Sequence, residues 1–455
     1  MKKSITIFGS TGNLMYKKLF PAIDTLLKDG HLDDTTKIYC IARKDCTLKD
    51  YIEDAKHHVK EKLDWDRIIP FLTYIIFDIN DIKDYKLLQQ RIIDDNIEDS
   101  MFYLAVPPTL FPIIAKGVSA AGLVQKGNEN SRIVFEKPFG ENLETAKQIN
   151  RDLWTYFDEN QIYRIDHYLG KEMIQNILVV RFANTVFSQA WNNNSIKSIS
   201  IIVKEKEGVM SRGGYYDTVG ALKDMLQSHL LQMASLIMME HPKTYDSEDI
   251  KDEKVKLISQ LDIKQNNILL GQYKGYTSEE KVDPNSKTET FVFLKAEINN
   301  KRWKGVPIYF LTGKNLDEKR SEIIIHFEDD ENLNRLWPNA PKNNSKLIIK
   351  VAPSEGVHFQ FSVKEPGLGQ NLVPAVLDYC HSCQAVGNTP EAYEKLLLDL
   401  INKNRTLFTR WDEIESSWQV VETLKNKEIE PVIYETYSDL ENLIKQLGMG
   451  DINDL

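Results

Sequence analysis

The run Arg164-Ile-Asp-His-Tyr-Leu-Gly-Lys-Glu172 gathers a carboxylate (Asp166), an imidazole (His167), a phenol (Tyr168) and an ammonium (Lys171) within a few positions. Ile174, Ile177 and Leu178 follow at helical spacing. That spacing predicts that Tyr168 to Lys171 lie at or near a helix N-terminus, where unsatisfied N–H groups and the helix dipole favour an anion. His167 and Lys171 stand four residues apart and are expected on one helix face. An imidazole and an ammonium at a helix start suit a phosphate better than a metal, because no second ligand with metal-site spacing lies nearby. A solvated helix cap with scattered polar groups is the alternative reading of the same stretch.

A second concentration of chemistry spans Gly214-Tyr-Tyr-Asp217 to Asp224-Met-Leu-Gln-Ser-His229-Leu-Leu-Gln232. Helical periodicity groups His229 with Leu222, Met225, Leu226, Met233 and Leu236, so its imidazole is expected to be neutral and partly buried. One reading is a core histidine hydrogen-bonded to a carboxylate. The other is a base that takes the proton of an alcohol while hydride leaves for a nicotinamide, which requires a dinucleotide site elsewhere in the chain. Asp166 is then a candidate orienting group. Lys137, in Glu136-Lys-Pro-Phe139, follows a strand and is expected at the carboxyl edge of a sheet near such a cofactor, although lysine before proline is also common in loops. Lys314 and Lys319 read either as phosphate ligands or as a solvated turn, and Glu205, at a strand end, is undecided between the two.

The elements that must hold these groups are legible in part. Ile5-Thr-Ile-Phe8 is an apolar strand that runs into Gly9-Ser-Thr-Gly12-Asn-Leu, with Leu19, Ile23, Leu26 and Leu27 at helical spacing behind it. Strand, glycine turn and helix in that order form a phosphate loop, although two glycines alone are a weak signal. Further strands are expected at 37–44, 73–78, 101–108 and 132–139, alternating with helices, which predicts a doubly wound parallel sheet. The second strand ends in Arg43-Lys44, where NAD-binding folds place an acidic residue, so a 2′-phosphate and hence NADP is expected. Beyond Arg181 short β-rich runs at 199–203, 290–298, 306–311, 323–327, 347–351 and 358–363, with a long helix over about 217–239, predict an α+β unit built on an antiparallel sheet. The expected domains are 1–165, Rossmann-type, and 166–455, α+β. Ligands of such folds sit at the carboxyl edge of the sheet, so cofactor and substrate are expected to meet where the two domains join.

Composition excludes several classes. The 455-residue chain is 42% hydrophobic and 27% charged, ordinary values for a globular protein. A net charge of −10 argues against nucleic acid or an anionic membrane as partner. No long apolar run or signal-peptide pattern is present, so a cytoplasmic location is expected. Four cysteines do not make a disulfide scaffold in a chain of this length, and Cys380-His-Ser-Cys383 lacks the second pair of a zinc ribbon, so it is expected to be incidental.

Taken together these stretches resemble glucose-6-phosphate dehydrogenases. Gly9-Ser-Thr-Gly-Asn-Leu, Tyr103-Leu-Ala-Val-Pro-Pro, Phe135-Glu-Lys-Pro-Phe-Gly, the nonapeptide at 164–172, Gly213-Gly-Tyr to His229-Leu-Leu-Gln, Arg302-Trp-Lys-Gly-Val-Pro, Thr312-Gly-Lys and Glu391-Ala-Tyr to Arg405-Thr-Leu-Phe follow that family's motifs in order. The resemblance implies oxidation of glucose 6-phosphate at C1 to 6-phosphogluconolactone with reduction of NADP, the entry to the pentose phosphate route. It implies that His229 accepts the C1 hydroxyl proton and that Asp166 stabilises the resulting imidazolium. His167, Tyr168 and Lys171 are implied to hold the 6-phosphate, with Glu205, Asp224, Lys314 and Lys319 facing the sugar or its phosphate. For the cofactor it implies Gly9, Ser10, Thr11, Gly12, Asn13, Leu14 and Arg43, with Lys137 touching both ligands. A homodimer or homotetramer built on the large sheet is implied as well, and no metal.

Several positions depart from the family pattern. Met15 stands for alanine, Asn13 for an acidic residue and Leu311 for arginine, and the sequence closes on Asp451-Ile-Asn-Asp-Leu rather than a Gly-Ser-Trp-Gly-like ending. These positions bear on NADP against NAD more than on the reaction. Two other functions share these motifs: a non-catalytic NADP-binding regulator, whose mark is loss of His229, Asp166 or Lys171, and a dehydrogenase for another sugar phosphate. All three marker residues are present.

Overall fold

The computed structural model describes residues 1–330, 332–338, 340–342, 344–384, 391–425 and 429–450. The chain forms two compact units. The first comprises residues 1–171, 244–251 and 390–415, and the second 172–243, 252–389 and 416–455.

The first unit holds a seven-stranded sheet in the order Phe408–Thr409, Ile162–Ile165, Ser131–Phe135, Asp99–Leu104, Lys3–Phe8, Lys37–Ala42 and Leu72–Ile76. All neighbours pair in parallel except the first two, which are antiparallel. The expected doubly wound sheet is therefore present, and its strand order reverses between Lys3–Phe8 and Asp99–Leu104, the switch point at which such folds bind ligands. The central strands Asp99–Leu104 and Ser131–Phe135 are buried at every position, as strands covered on both faces require. Helices start where the sequence supplies caps. Thr47 and Asp50 form a capping box for Leu48–His58, and Asn142 and Thr145 one for Leu143–Tyr156.

A single cut at 165 did not anticipate that 244–251 and 390–415 pack with this unit. Hydrogen bonds from Thr25 to Glu394 and from the Trp411 amide to Glu159 tie 390–415 to residues 1–171, and charge ties 244–251 to 390–415. Glu248 accepts 2.9 Å hydrogen bonds from both Arg405 and Arg410 and pairs with Lys251. Burial works to raise the Glu248 pKa, but Lys251, Arg410 and Arg405 overcome it and hold the carboxyl at about 2.

The second unit is built on a ten-stranded sheet. From its outer edge the order is Leu372–Cys380, Gly356–Lys364, Lys346–Ala352, Arg320–Phe327, Ile196–Lys204, Ile308–Gly313, Phe291–Ile298, Ile268–Tyr273 and Val432–Tyr434, with Leu261–Asp262 pairing to Phe291–Ile298. The sheet is mainly antiparallel, as expected. Two pairings, Ile308–Gly313 with Ile196–Lys204 and Val432–Tyr434 with Ile268–Tyr273, are parallel. The long helix expected over 217–239 is broken into three pieces. Gly213–Ala221 ends where Gly220 takes φ 68°, Leu222–Leu230 is π-helical, and Leu231–Met238 is α-helical. A Cβ at Gly220 would lie 2.4 Å from Glu289 Oε1, which accepts a hydrogen bond from the Leu222 amide, so glycine is required at the break. Cys380 and Cys383 are joined by a disulfide, which corrects the expectation that the pair is incidental. Among the described residues no helix is long and apolar enough to cross a membrane.

Candidate active site

The residues expected to act divide between the units. Gly9 to Leu14, Arg43, Lys137, Asp166, His167, Tyr168 and Lys171 belong to the first, and Glu205, Asp224, His229, Lys314 and Lys319 to the second.

In the first unit the glycine turn is tied down from both sides. The amides of Gly9 and Ser10 both donate to Ile41 O, the Ser10 hydroxyl donates to the same carbonyl, and Tyr51 donates to Ser10 O. Gly9 has φ 84°, and a Cβ there would lie 2.4 Å from Ala105 O, so its backbone passes against the neighbouring strand end in a way only glycine permits. Thr11, Gly12 and Leu14 are half-buried and Asn13 is exposed. Met15, the departure from the family pattern, is fully buried and opens a five-residue π-helical turn, Met15–Leu19, ahead of the helix Phe20–Lys28. Single π turns within helices are uncommon and cluster at functional sites. Here one π-helical segment follows the glycine turn and the other contains His229.

Arg43 is exposed immediately after the strand Lys37–Ala42. Its charge helps hold the Asp78 carboxyl below the usual carboxylate range, behind the larger effect of hydrogen bonds from the Asn80 backbone and side chain. Lys44 is committed elsewhere, in a 3.2 Å ion pair with Asp54.

Lys137 follows the strand Ser131–Phe135, as expected, and its bond to Pro138 is cis. Sequence reasoning passed over its neighbour. Glu136 receives a 2.5 Å hydrogen bond from Tyr103 and another from Tyr393, and burial pushes its carboxyl up to about 7. Nothing local in Tyr103 or Tyr393 signals this, because they lie 33 residues before Glu136 and far beyond it along the chain.

The motif at 164–172 separates into structural and presenting parts. Arg164 is fully buried on Glu159 and Asn150, so it belongs to the core. Asp166 accepts a hydrogen bond from the Tyr168 amide at 3.0 Å, and the Leu169 amide donates to Asp166 O, which folds the chain into a turn. His167 through Gly170 are in this turn and the helix Glu172–Phe182 begins only afterwards. His167 and Lys171 therefore do not share a helix face as spacing predicted. They converge on Tyr168 instead, with the His167 ring centroid 5.2 Å from that of Tyr168 and Lys171 Nζ 4.9 Å from it. The helix-start expectation holds, since Lys171 directly precedes Glu172.

In the second unit His229 is 2% exposed and lies in the π-helical segment Leu222–Leu230, with Asp224 half-buried one turn earlier. Burial, with a smaller contribution from Asp224, raises the phenol of Tyr215 to about 12. Lys314 and Glu205 form an ion pair. The Glu205 amide donates to Gly313 O and the Leu316 amide to Glu205 O, so the end of Ile196–Lys204 and the loop after Ile308–Gly313 are stitched together. Lys314 Nζ lies 5.1 Å from the Tyr216 ring centroid, and Tyr434 donates a 2.5 Å hydrogen bond to Lys314 O. Lys314 is therefore a held, mostly buried cation rather than part of a solvated turn. Lys319 is exposed further along the same loop.

Residues 6–176 match the glucose-6-phosphate dehydrogenase NAD binding domain, and residues 178–446 match the glucose-6-phosphate dehydrogenase C-terminal domain. The chain belongs to the glucose-6-phosphate dehydrogenase family. It is 40% identical over 443 residues to glucose-6-phosphate 1-dehydrogenase of Borreliella burgdorferi, covering 93% of this chain and 91% of the relative. With the Bacillus subtilis enzyme it shares 37% over 460 residues, covering 94% and 93%. A solved glucose-6-phosphate dehydrogenase in complex with its substrate glucose-6-phosphate superimposes with a TM-score of 0.89 at 34% identity, covering 95% of this chain and 94% of that one. The Mycobacterium avium enzyme superimposes with a TM-score of 0.86 at 33% identity, with the same coverage. This member of the glucose-6-phosphate dehydrogenase family thus keeps the family fold together with Met15, Asn13 and Leu311. Leu311 is fully buried in the strand Ile308–Gly313, within the core formed with Phe291, Phe293 and Ile324.

Proposed function

We propose that this protein oxidises D-glucose 6-phosphate at C1 to 6-phosphoglucono-lactone, with hydride transfer to NADP. Family membership over both domains, with the nonapeptide at 164–172 intact, carries this reading. His229 takes the proton of the C1 hydroxyl, and Asp166 stabilises the imidazolium that results. His167, Tyr168 and Lys171 hold the 6-phosphate; the turn that gathers an imidazole and an ammonium around one phenol supports that role, because both groups donate charge-assisted hydrogen bonds to an anion. Glu205, Asp224, Lys314 and Lys319 face the sugar or its phosphate. Gly9 to Leu14 cradle the pyrophosphate, Arg43 meets the 2′-phosphate, and Lys137 touches both ligands. NADP, when bound, supplies the hydride acceptor.

A homodimer or homotetramer built on the ten-stranded sheet belongs to the same proposal, supported by the resemblance and tested by light scattering on the purified chain. A cytoplasmic location is supported by a relative named as cytoplasmic, from Arabidopsis thaliana, 36% identical over 98% of this chain and 91% of the relative. Steady-state rates on glucose 6-phosphate with NADP and then NAD test the reaction. Reduction of NADP that depends on glucose 6-phosphate is expected. No turnover with either cofactor would leave a non-catalytic regulator, and faster turnover of a different sugar phosphate would move the substrate.

A further inference from the structure

We propose that Cys380 and Cys383 form a reversible thiol–disulfide exchange site at the outer edge of the large sheet, open to small thiols and disulfides. Cys380 is the last residue of Leu372–Cys380, the strand that pairs, among the described residues, only with Gly356–Lys364. Cys383 lies in the short helical turn His381–Gln384 and is exposed. The bond between them closes a ring over a sequence separation of 3. A ring that short removes little freedom from the unfolded chain, so the bridge is a poor structural staple. Exposed bridges are also the ones that thiols reduce most readily.

The other cysteines contrast with this pair. Cys40 is fully buried in Lys37–Ala42, and burial pushes its thiol up to about 12, far from the thiolate that exchange requires. Cys46 is half-buried in a loop of the first unit.

The two bridged sulfurs are not equivalent. The Cys383 amide N–H points at Cys380 Sγ, with N to Sγ 3.2 Å, whereas Cys383 itself is the exposed partner. Cys380 is half-buried and stands opposite Gly356 in register. An incoming thiolate therefore reaches Cys383 Sγ. As its sulfur bonds to Cys383, the Cys380–Cys383 bond breaks and its electron pair leaves on Cys380, where the Cys383 amide is already placed to donate to the thiolate. A second small thiolate attacks the small-molecule sulfur of the mixed disulfide on Cys383, forming the small disulfide and releasing Cys383 as thiolate. Both protein thiolates are reprotonated by the protons lost from the two small thiols. The electron balance is two thiols oxidised to one disulfide and one protein disulfide reduced to two thiols. The reverse sequence, with a small disulfide as oxidant, restores the bridge.

The experiment uses the native full-length chain. After incubation with dithiothreitol, alkylation without denaturant is expected to label Cys380 and Cys383 and leave Cys40 unlabelled; glutathione disulfide is then expected to abolish labelling of the pair. In the single variants, glutathione disulfide should form a mixed disulfide on Cys383 of Cys380→Ser roughly tenfold faster than on Cys380 of Cys383→Ser, as the accessible sulfur exchanges faster. A bridge that resists dithiothreitol until the protein unfolds, or a reduced pair that glutathione disulfide leaves unchanged, would overturn the proposal. Equal rates in the two variants would overturn the assignment of Cys383 as the attacked sulfur.

Discussion

The phenol of Tyr103 donates a 2.5 Å hydrogen bond to Glu136, the residue directly before Lys137. With Tyr393 as a second donor, the Glu136 carboxyl is enclosed by two phenols, and burial raises its pKa from 4.5 to about 7. The folded protein therefore binds more protons than the unfolded chain between about pH 4.5 and 7. The stability this group contributes is present below that window and is lost as pH rises through it, by no more than about 3 kcal/mol. Denaturant unfolding should show the parent losing more stability from pH 5 to pH 8 than Glu136→Gln, whose amide keeps the hydrogen bonds without titrating. Parallel pH profiles for the two proteins would remove Glu136 as the titrating group.

His229→Ala is expected to lower kcat by roughly 100- to 10,000-fold, the usual worth of a general base, while leaving the dissociation constants of both ligands within a fewfold. Asp166→Asn should do similar damage to kcat. Because His229 is buried, the unfolding midpoint of each variant must be measured alongside. A kcat near that of the parent in a folded His229→Ala protein would return the residue to the role of a core histidine.

Lys171→Ala should raise the KM for glucose 6-phosphate far more than that for unphosphorylated glucose. The ammonium stands 4.9 Å from the centroid of the Tyr168 ring, and its charge has no counterpart on the neutral sugar. Equal losses on both substrates would mean that Lys171 supports the turn rather than the phosphate.

Arg43→Ala should raise the KM for NADP by about 10- to 150-fold and change that for NAD little, corresponding to roughly 1.5–3 kcal/mol of charge-assisted hydrogen bonding to a 2′-phosphate. Lys44→Ala should have a smaller effect, because its ammonium is already paired with Asp54. An equal loss with both cofactors in Arg43→Ala would show that this residue does not read the phosphate.

Local pattern was a sound guide wherever one face or one turn decided the outcome. Gly9 was legible because a backbone at φ 84° against Ala105 leaves room for no side chain. The nonapeptide was legible as a site because four chemically different polar side chains sit together ahead of a helix. The same local rules failed where the backbone left its ideal period. The continuous helix expected over 217–239 missed the break at Gly220 and the π-helical segment Leu222–Leu230, although the face it assigned to His229 is buried. His167 and Lys171 were paired as helix neighbours, whereas Asp166 caps a turn that delays the helix to Glu172.

The sequence by itself determined the alternation of strands and helices, the glycine turn after the first strand and the clustering of polar groups at 164–172, because each depends on residues close along the chain. Only the tertiary structure decided which distant residues govern those groups. Tyr393 reaches Glu136, Tyr434 reaches the carbonyl of Lys314, and Glu205 meets the ammonium of Lys314, across separations that carry no periodic signal. The same holds for Arg405 and Arg410, which bring 390–415 to Glu248 through paired charges. The pairing of such groups is set by how sheets and helices stack, and stacking is a property of the whole chain.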